Sequence, residues 1–217
     1  MTHIPDPGVR LGDATYSRLR DMILNGTLPT GTVLHEKRLA EGLLVSRTPV
    51  REAISRLISA GLVVRDPGLA PVVRRLSVNE FIEVLHVRRL LEVEAAGRAA
   101  ERNGTAEYAS LREQFVRFRD AQVVDFTEQF NADERLHEIL ALQADSKLLA
   151  ELISDLRMKT QIFDATRVPE RIKAGSIEHI GIIDSVVSGD VERSREAMRT
   201  HIDNVRASVL SHLQRLF

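Results

Sequence analysis

Residues 34–65 read LHEKRLAEGLLVSRTPVREAISRLISAGLVVR, and this stretch decides the fold of the first part of the chain. It holds two helical patterns separated by a break near residues 44–46, and the second pattern ends at Gly61. Ser46 is a residue type that can cap a helix beginning at Arg47. The apolar face of that second helix consists of Val50, Ala53, Ile54, Leu57 and Ile58. The stretch therefore predicts two short helices joined by a tight turn.

The segments on either side complete a small domain. Before the stretch, DATYSRLRDMILN (residues 13–25) has apolar residues at helical spacing, and Gly26 follows as a helix C-cap. After it, LVVRDPGLAPVVRR (residues 62–75) has two β-branched runs around an Asp-Pro-Gly turn, which predicts a β-hairpin. Three helices followed by a hairpin are the elements of a winged helix-turn-helix.

The remainder of the chain has a different character, with long amphipathic helices and little β signal. The predicted helices lie near residues 79–102, 105–123, 126–144, 147–167, 170–188 and 190–216. The predicted breaks lie at 103–105, 123–125, 145–146, 168–169 and 189–190. Short connections between long helices indicate an antiparallel bundle. We therefore expect a mainly α fold, with a winged helix-turn-helix and its small hairpin wing in residues 1–76 and an all-α bundle in residues 77–217.

Composition narrows the classes of function. The chain has 217 residues and no cysteine, which excludes disulfides, thiolate zinc sites and cysteine nucleophiles. It has no signal-peptide pattern and no apolar run long enough to span a membrane, so we expect a cytoplasmic protein. Residues 1–76 hold eleven Lys and Arg against seven Asp and Glu, while the remainder holds nineteen against twenty-four. A basic N-terminal segment followed by an acidic remainder is typical of a polyanion-binding module joined to another domain.

The helix that begins at Arg47 is the candidate DNA-contacting element. Its polar N-terminal half carries Arg47, Thr48 and Arg51. In a helix-turn-helix this part of the second helix meets base edges in the major groove, where arginine can bind guanine or phosphate oxygens. The alternative is an ordinary solvated helix face. The preceding helix and turn, together with the following hairpin, favour DNA binding.

The same segment resembles a known family. SRTPVREA (residues 46–53) and the following GLV, within a match over residues 14–76, resemble the winged helix-turn-helix of GntR-family transcription regulators. The resemblance implies a double-stranded DNA operator as partner and Gly68 at the wing tip. It also implies operator contacts by Lys37, Ser46, Arg47, Thr48 and Arg51. Leu44 stands where the family usually has glycine, so a left-handed conformation there would cost about 1 kcal/mol.

Polar residues interrupt the apolar stripes of the bundle. In DERLHEIL (residues 133–140), Asp133 and His137 lie one turn apart on a face that is otherwise apolar. His179 and His201 interrupt similar stripes on two later helices. Such residues can be core groups with separate hydrogen-bond partners, because unpaired buried polar groups are costly. One divalent cation would satisfy all four together, since three imidazoles and a carboxylate suit zinc, nickel, manganese or iron.

Residues 78–217 also resemble the all-helical effector domain of the FadR subfamily, called the FCD domain, in a six-helix version closer to the VanR-like branch. Metal-binding members of that family use Asp-x-x-x-His on one helix and single histidines on two later helices. Asp133, His137, His179 and His201 fill all four positions. The resemblance therefore implies a bound divalent metal ion, with zinc expected first.

Two further residues are candidates for binding an effector. Arg88 and Glu92 lie on an inward stripe, where they can form an ion pair buried between helices. In the resembling family a small carboxylate lies beside the metal, and Arg88 could instead clamp it. Asn204, close after His201, could donate a hydrogen bond to the same ligand.

These observations favour a ligand-responsive transcription regulator that is not an enzyme. In this hypothesis a homodimer binds a near-palindromic operator, and a metal-associated small organic acid modulates DNA binding. The alternatives are a metalloenzyme, in which the three-His, one-Asp site activates water, and a helical protein with a structural metal. The sequence has no HExxH or comparable base motif, and both alternatives leave SRTPVRE without a role.

Overall fold

The computed structural model of the chain describes residues 11–102, 106–163 and 171–216. The chain divides into two compact units. The first comprises the residues up to Ser77 and a short segment that begins at Met158, and the second comprises the remainder from Val78 onward.

The first unit is a winged helix-turn-helix. Its elements are α1 (Leu11–Leu24), α2 (Glu36–Leu43), α3 (Arg47–Ser59), β1 (Val63–Val64) and β2 (Val72–Val73). The two strands are antiparallel, with Val63 opposite Val73. Leu19, Ile54, Leu57 and Leu62 are fully buried in the core of this unit. The predicted fold class of this segment is confirmed.

The turn between α2 and α3 has a left-handed residue that is not glycine. Leu44, at the position where the resembling family usually has glycine, has φ 57° and ψ 43°, and the residue is 93% exposed. Ser46 is the N-cap residue of α3, yet its hydroxyl makes no capping hydrogen bond within the described part of the chain. The side-chain cap expected from the sequence is therefore absent. Pro49, at the third position of α3, has no N–H to donate to such a cap.

The second unit is a helical bundle, as predicted. Its helices are α4 (Val78–Glu101), α5 (Ala106–Asp120), α6 (Phe126–Gln143), α7 (Lys147–Gln161), α8 (Arg171–Val187) and α9 (Val191–Leu216), except that the last turn of α7, from Met158, belongs to the first unit. Helix α5 ends three residues before its predicted end, and Asp125 caps α6 by accepting a hydrogen bond from the Glu128 N–H at 2.9 Å. The predicted breaks at 103–105 and 168–169, and the predicted helical residues 164–167, lie outside the described residues.

Helix α4 is central to the bundle and packs against α6, α8 and α9. A close approach to α9 occurs at Gly97, where an added Cβ would lie 2.6 Å from Arg195 Nε. Arg195 pairs there with Glu94 at 3.3 Å and Glu192 at 2.7 Å. Beside it, α4, α6 and α7 share a small apolar cluster that includes Ala95 and Ile153. No helix among the described residues is long and apolar enough to cross a membrane.

Candidate functional site

Four predicted metal ligands converge inside the second unit. Asp133 and His137 lie one turn apart on α6, His179 lies on α8 and His201 lies on α9. One potential ligand atom from each residue lies within 4.8 Å of the other three. The three histidines are between 2% and 4% exposed, while the Asp133 side chain is 25% exposed. The geometry therefore brings together, on three helices, the donor set that the sequence selected.

Two of the three imidazoles are oriented by carboxylates through the same ring nitrogen. Nδ1 of His137 is bound to Oε2 of the buried Glu92. Nδ1 of His201 lies 2.9 Å from Oε2 of Glu178. A carboxylate at Nδ1 favours the tautomer with the proton on that nitrogen, which leaves Nε2 with a lone pair. Within the described residues, Nε2 of His137 has no hydrogen-bond partner.

The third imidazole approaches the aspartate in a different way. Nε2 of His179 lies 3.0 Å from Oδ1 of Asp133. Although the two atoms are close, the geometry is not that of a hydrogen bond, and neither ring nitrogen of His179 has a partner within the described segments. The His179 ring packs against Phe115, with 4.5 Å between ring centroids. Imidazole nitrogen and carboxylate oxygen are both donors that zinc accepts, so a single cation could bind these two neighbouring atoms.

Arg157, which was not among the candidate site residues, binds the other carboxylate oxygen of Asp133. Its Nη2 donates to Oδ2 of Asp133 at 2.5 Å and also to Glu134, and its Nη1 lies 3.6 Å from Oε2 of Glu92. Burial alone would raise the pKa of Asp133, but Arg157 and the neighbouring imidazoles hold it well below its usual range. Asp133 is therefore ionised, and its Oδ1 lies near the histidines, where it could bind a metal ion.

The environment also keeps two of the candidate imidazole ligands in their neutral form. Burial lowers the pKa of His201 to about 3, with a further contribution from neighbouring His179. Burial and the charge of Arg157 likewise lower the pKa of His137. Neutral imidazole is the form that binds metals.

The two residues predicted to bind an effector donate hydrogen bonds to the same carboxylates that contact His137 and His201. Arg88 is 8% exposed, and its Nε donates to Oε1 of Glu92 at 2.7 Å, as in the ion-pair alternative. Asn204 Nδ2 donates to Oε1 of Glu178 at 2.8 Å. Sequence reasoning missed Arg157, although it continues the inward stripe of Leu149 and Ile153 on α7. It also missed the role of Glu178, whose partner is on another helix.

The predicted DNA-contacting residues lie on the surface of the first unit. Lys37, Ser46, Arg47, Thr48 and Arg51 are all exposed. The two arginines in the N-terminal half of α3 contact Glu36 of α2: Arg51 through Nε at 3.1 Å and Nη2 at 2.9 Å, and Arg47 at 3.4 Å. The polar end of α3 and the first turn of α2 therefore form one surface of mixed charge.

The wing has a tight turn at its tip. Gly68 has φ 79°, and the Leu69 N–H bonds to the Asp66 carbonyl at 3.0 Å. Apart from Gly68 itself and its two chain neighbours, no atom of the described residues lies within 4 Å of the position that a Cβ at residue 68 would take. Gly68 is therefore at an open tip, with a backbone conformation that favours glycine.

Comparisons with known proteins are consistent with this architecture. Residues 11–73 match the family described as bacterial regulatory proteins, gntR family, and residues 83–204 match the FCD domain. The chain is 27% identical over 213 residues to the HTH-type transcriptional repressor RspR of Escherichia coli strain K12. That match covers 94% of this chain and 91% of RspR.

Solved structures share the fold. The chain is similar to McbR/YncC of E. coli, with a TM-score of 0.80 and 24% identity over 94% of this chain and 98% of that one. It is also similar to the Zn²⁺-bound FCD domain of TM0439, with a TM-score of 0.52 and 22% identity. That match covers 64% of this chain and 96% of the domain.

Proposed function

This chain belongs to the GntR family of bacterial regulatory proteins and carries an FCD domain, and from that premise we propose that a metal ion and a small organic acid control its binding to DNA. It is a DNA-binding transcription regulator and not an enzyme. We assign DNA binding to residues 1–76 and metal binding, effector binding and dimerisation to residues 77–217. Because it acts on the chromosome, it would work in the bacterial cytoplasm.

The observation that carries the proposal is the convergence of Asp133, His137, His179 and His201. Their donor set fits a divalent cation, and carboxylates hold two of the imidazoles with Nε2 available. The metal would supply an electrophilic centre that can bind an anionic ligand. Zinc is the first candidate, as in the similar domain of TM0439. With nickel, manganese or iron, an octahedral shell would leave two positions for an effector.

The charges around the centre support an anionic effector. Arg88 and Arg157 are buried and balance the buried Glu92 and the ionised Asp133. Glu134, a third exposed, adds one negative charge at the edge. Glu178, beside His201, is balanced by its partner Arg171, so a divalent cation would leave the cluster with an excess of positive charge. Because unpaired charge in a buried site is costly, a small carboxylate would be a favourable further ligand.

Arg88 and Asn204 are the proposed effector-binding residues. A carboxylate that reached the metal would come close to the groups that hold His137 and His201, and those groups already bind Arg88 and Asn204. A guanidinium can bind both oxygens of a carboxylate, while the amide can donate one further hydrogen bond. Both side chains would then exchange a bond within the protein for one with the effector.

Operator contacts are proposed for Lys37, Ser46, Arg47, Thr48, Arg51 and Gly68. The exposed arginines at the start of α3 suit base edges, and the other side chains suit phosphates. The Ser46 hydroxyl makes no capping bond within the described residues, so it can donate to a phosphate oxygen. Gly68 allows the wing tip to approach the backbone of the DNA.

The active form is proposed to be a homodimer. A two-fold protein can bind two half-sites separated by one or two helical turns of DNA. On α4, Val87 and Leu90 are 41% and 57% exposed, at a spacing that puts them on one face of the helix. A second copy of this chain would cover this apolar face.

The proposal can be tested with a duplex that the wild-type protein selects from a random pool. Fluorescence anisotropy would measure the affinity of this duplex for the metal-loaded protein in the presence of acetate, malate or citrate. An effective acid should change DNA affinity by about 5- to 150-fold, and chelation should remove this response.

Arg88→Ala should reduce the response to the acid, while Arg89→Ala is the matched control. Arg89 is its neighbour on α4, and its side chain is 31% exposed and pairs with Asp203. Elemental analysis that finds no metal, together with no response to any carboxylic acid, would refute the proposal.

A further inference from the structure

Glu36 is an acidic residue in a surface that we assign to DNA. It lies in the first turn of α2, and its side chain is only 19% exposed although both of its partners are more than half exposed. Hydrogen bonds from Arg51 lower the pKa of Glu36, so the carboxylate is ionised at neutral pH. A negative charge close to phosphates opposes DNA binding, so its presence there needs a compensating role.

The contact geometry indicates such a role. Arg51 binds both oxygens of Glu36, with Nε 3.1 Å from Oε1 and Nη2 2.9 Å from Oε2. Two bonds from one planar guanidinium fix its position and the direction of its remaining donors. The single contact with Arg47, at 3.4 Å, is weaker. Arg51 is therefore oriented before DNA arrives, although its side chain is 60% exposed.

We propose that Glu36 is a positioning residue for operator recognition: it holds the Arg51 guanidinium ready for a base, and its charge weakens binding to DNA of unrelated sequence. The inference rests on the proposed contact of Arg51 with the operator. Orientation favours the specific complex, in which the guanidinium must meet one base edge. Repulsion acts on every duplex, because all carry the same phosphates. The combined effect is a larger ratio of specific to non-specific affinity.

The test compares Glu36→Gln with Glu41→Gln. Both substitutions remove one negative charge from α2, but the Glu41 side chain is 66% exposed and its ion pair is with Lys37, at 4.0 Å. Affinities would be measured by anisotropy for the duplex selected from a random pool and for a scrambled duplex of equal length.

Glu36→Gln should lower affinity for the selected duplex by about three- to tenfold and raise that for the scrambled duplex by about twofold. Glu41→Gln should shift both affinities in the same direction and leave their ratio unchanged. A damaged fold would weaken binding to both duplexes and lower the melting temperature, so the opposite shifts separate positioning from a structural role.

Arg51→Ala separates this inference from the proposed function. In that background, Glu36→Gln should cause little further loss of specificity, because the group it orients is absent. If Arg51→Ala leaves affinity for the selected duplex unchanged, the proposed DNA contact is wrong. If Arg51→Ala weakens binding but Glu36→Gln does not change the ratio of affinities, only the positioning role is overturned.

Discussion

Glu92→Gln is the most informative change in the candidate metal centre, because it removes a charge while keeping an oxygen that can accept a hydrogen bond from His137. Glu92 is 2% exposed and contacts Arg88, His137 and Arg157. Replacing it by glutamine removes one negative charge, so the net charge of the cluster is more positive by one before a cation binds. Replacing such a carboxylate typically weakens metal affinity by about 10- to 100-fold, or about 1.4 to 2.8 kcal/mol.

The magnitude can be measured as stabilisation by metal. At a zinc concentration one hundred times the wild-type Kd, binding should stabilise the wild type by about 2.7 kcal/mol. The same concentration should stabilise a variant with tenfold weaker binding by about 1.4 kcal/mol, and one with hundredfold weaker binding by about 0.4 kcal/mol. Thermal melts with chelator and with zinc give this difference for each protein, so a lower stability of the metal-free variant does not affect the comparison.

Glu94→Gln is the matched control, because Glu94 lies on the same helix and pairs with Arg98 and Arg195 but with no imidazole. It should retain the wild-type stabilisation by zinc. Glu178→Gln is a second test variant. The Glu178 side chain is 15% exposed and contacts Nδ1 of His201, so its replacement should also reduce the stabilisation by zinc. Equal zinc stabilisation in the wild type, Glu92→Gln and Glu178→Gln would refute the reasoning.

Leu44→Gly should raise the free energy of unfolding of the first unit by about 1 kcal/mol, because the left-handed backbone at φ 57° penalises a Cβ. A melting temperature that is unchanged or lower would contradict this. In His179→Ala, chelator should leave the melting temperature almost unchanged, whereas it should lower that of the wild type. A chelator response of equal size in both proteins would remove His179 from the metal site. Leu90→Glu should convert a dimer into a monomer in light scattering, and Val187→Glu, at a position of similar exposure, should not. A dimer that survives Leu90→Glu would exclude the proposed α4 face.

Much of the architecture could be predicted because apolar periodicity reports which face of a helix is buried. Asp133 and His137 stood out in this way, as did His179 and His201, since each interrupts an apolar stripe. The turn at Leu44 was marked in a different way, by the resemblance to a family that usually has glycine at this position.

Other features depend on distances that periodicity does not contain. The pairing of His201 with Glu178 joins residues on two helices and depends on their rotation and side-chain rotamers. Arg157 binds acidic groups on α4 and α6, although its sequence neighbours suggest only a stripe on α7. The Ser46 cap failed for a local reason, because Pro49 removes one of the N–H groups that it could bind.

The close approach of Gly97 to Arg195 couples two positions that are far apart in the sequence. A side chain at residue 97 would occupy the space through which the guanidinium stem passes, so the two positions compete for one volume. Relatives with a larger residue at the first position should therefore have a shorter one at the second, a covariation that an alignment could detect. The pair also marks the alignment of α4 with α9, because a shift of either helix by one residue would bring a Cβ into the path of the arginine.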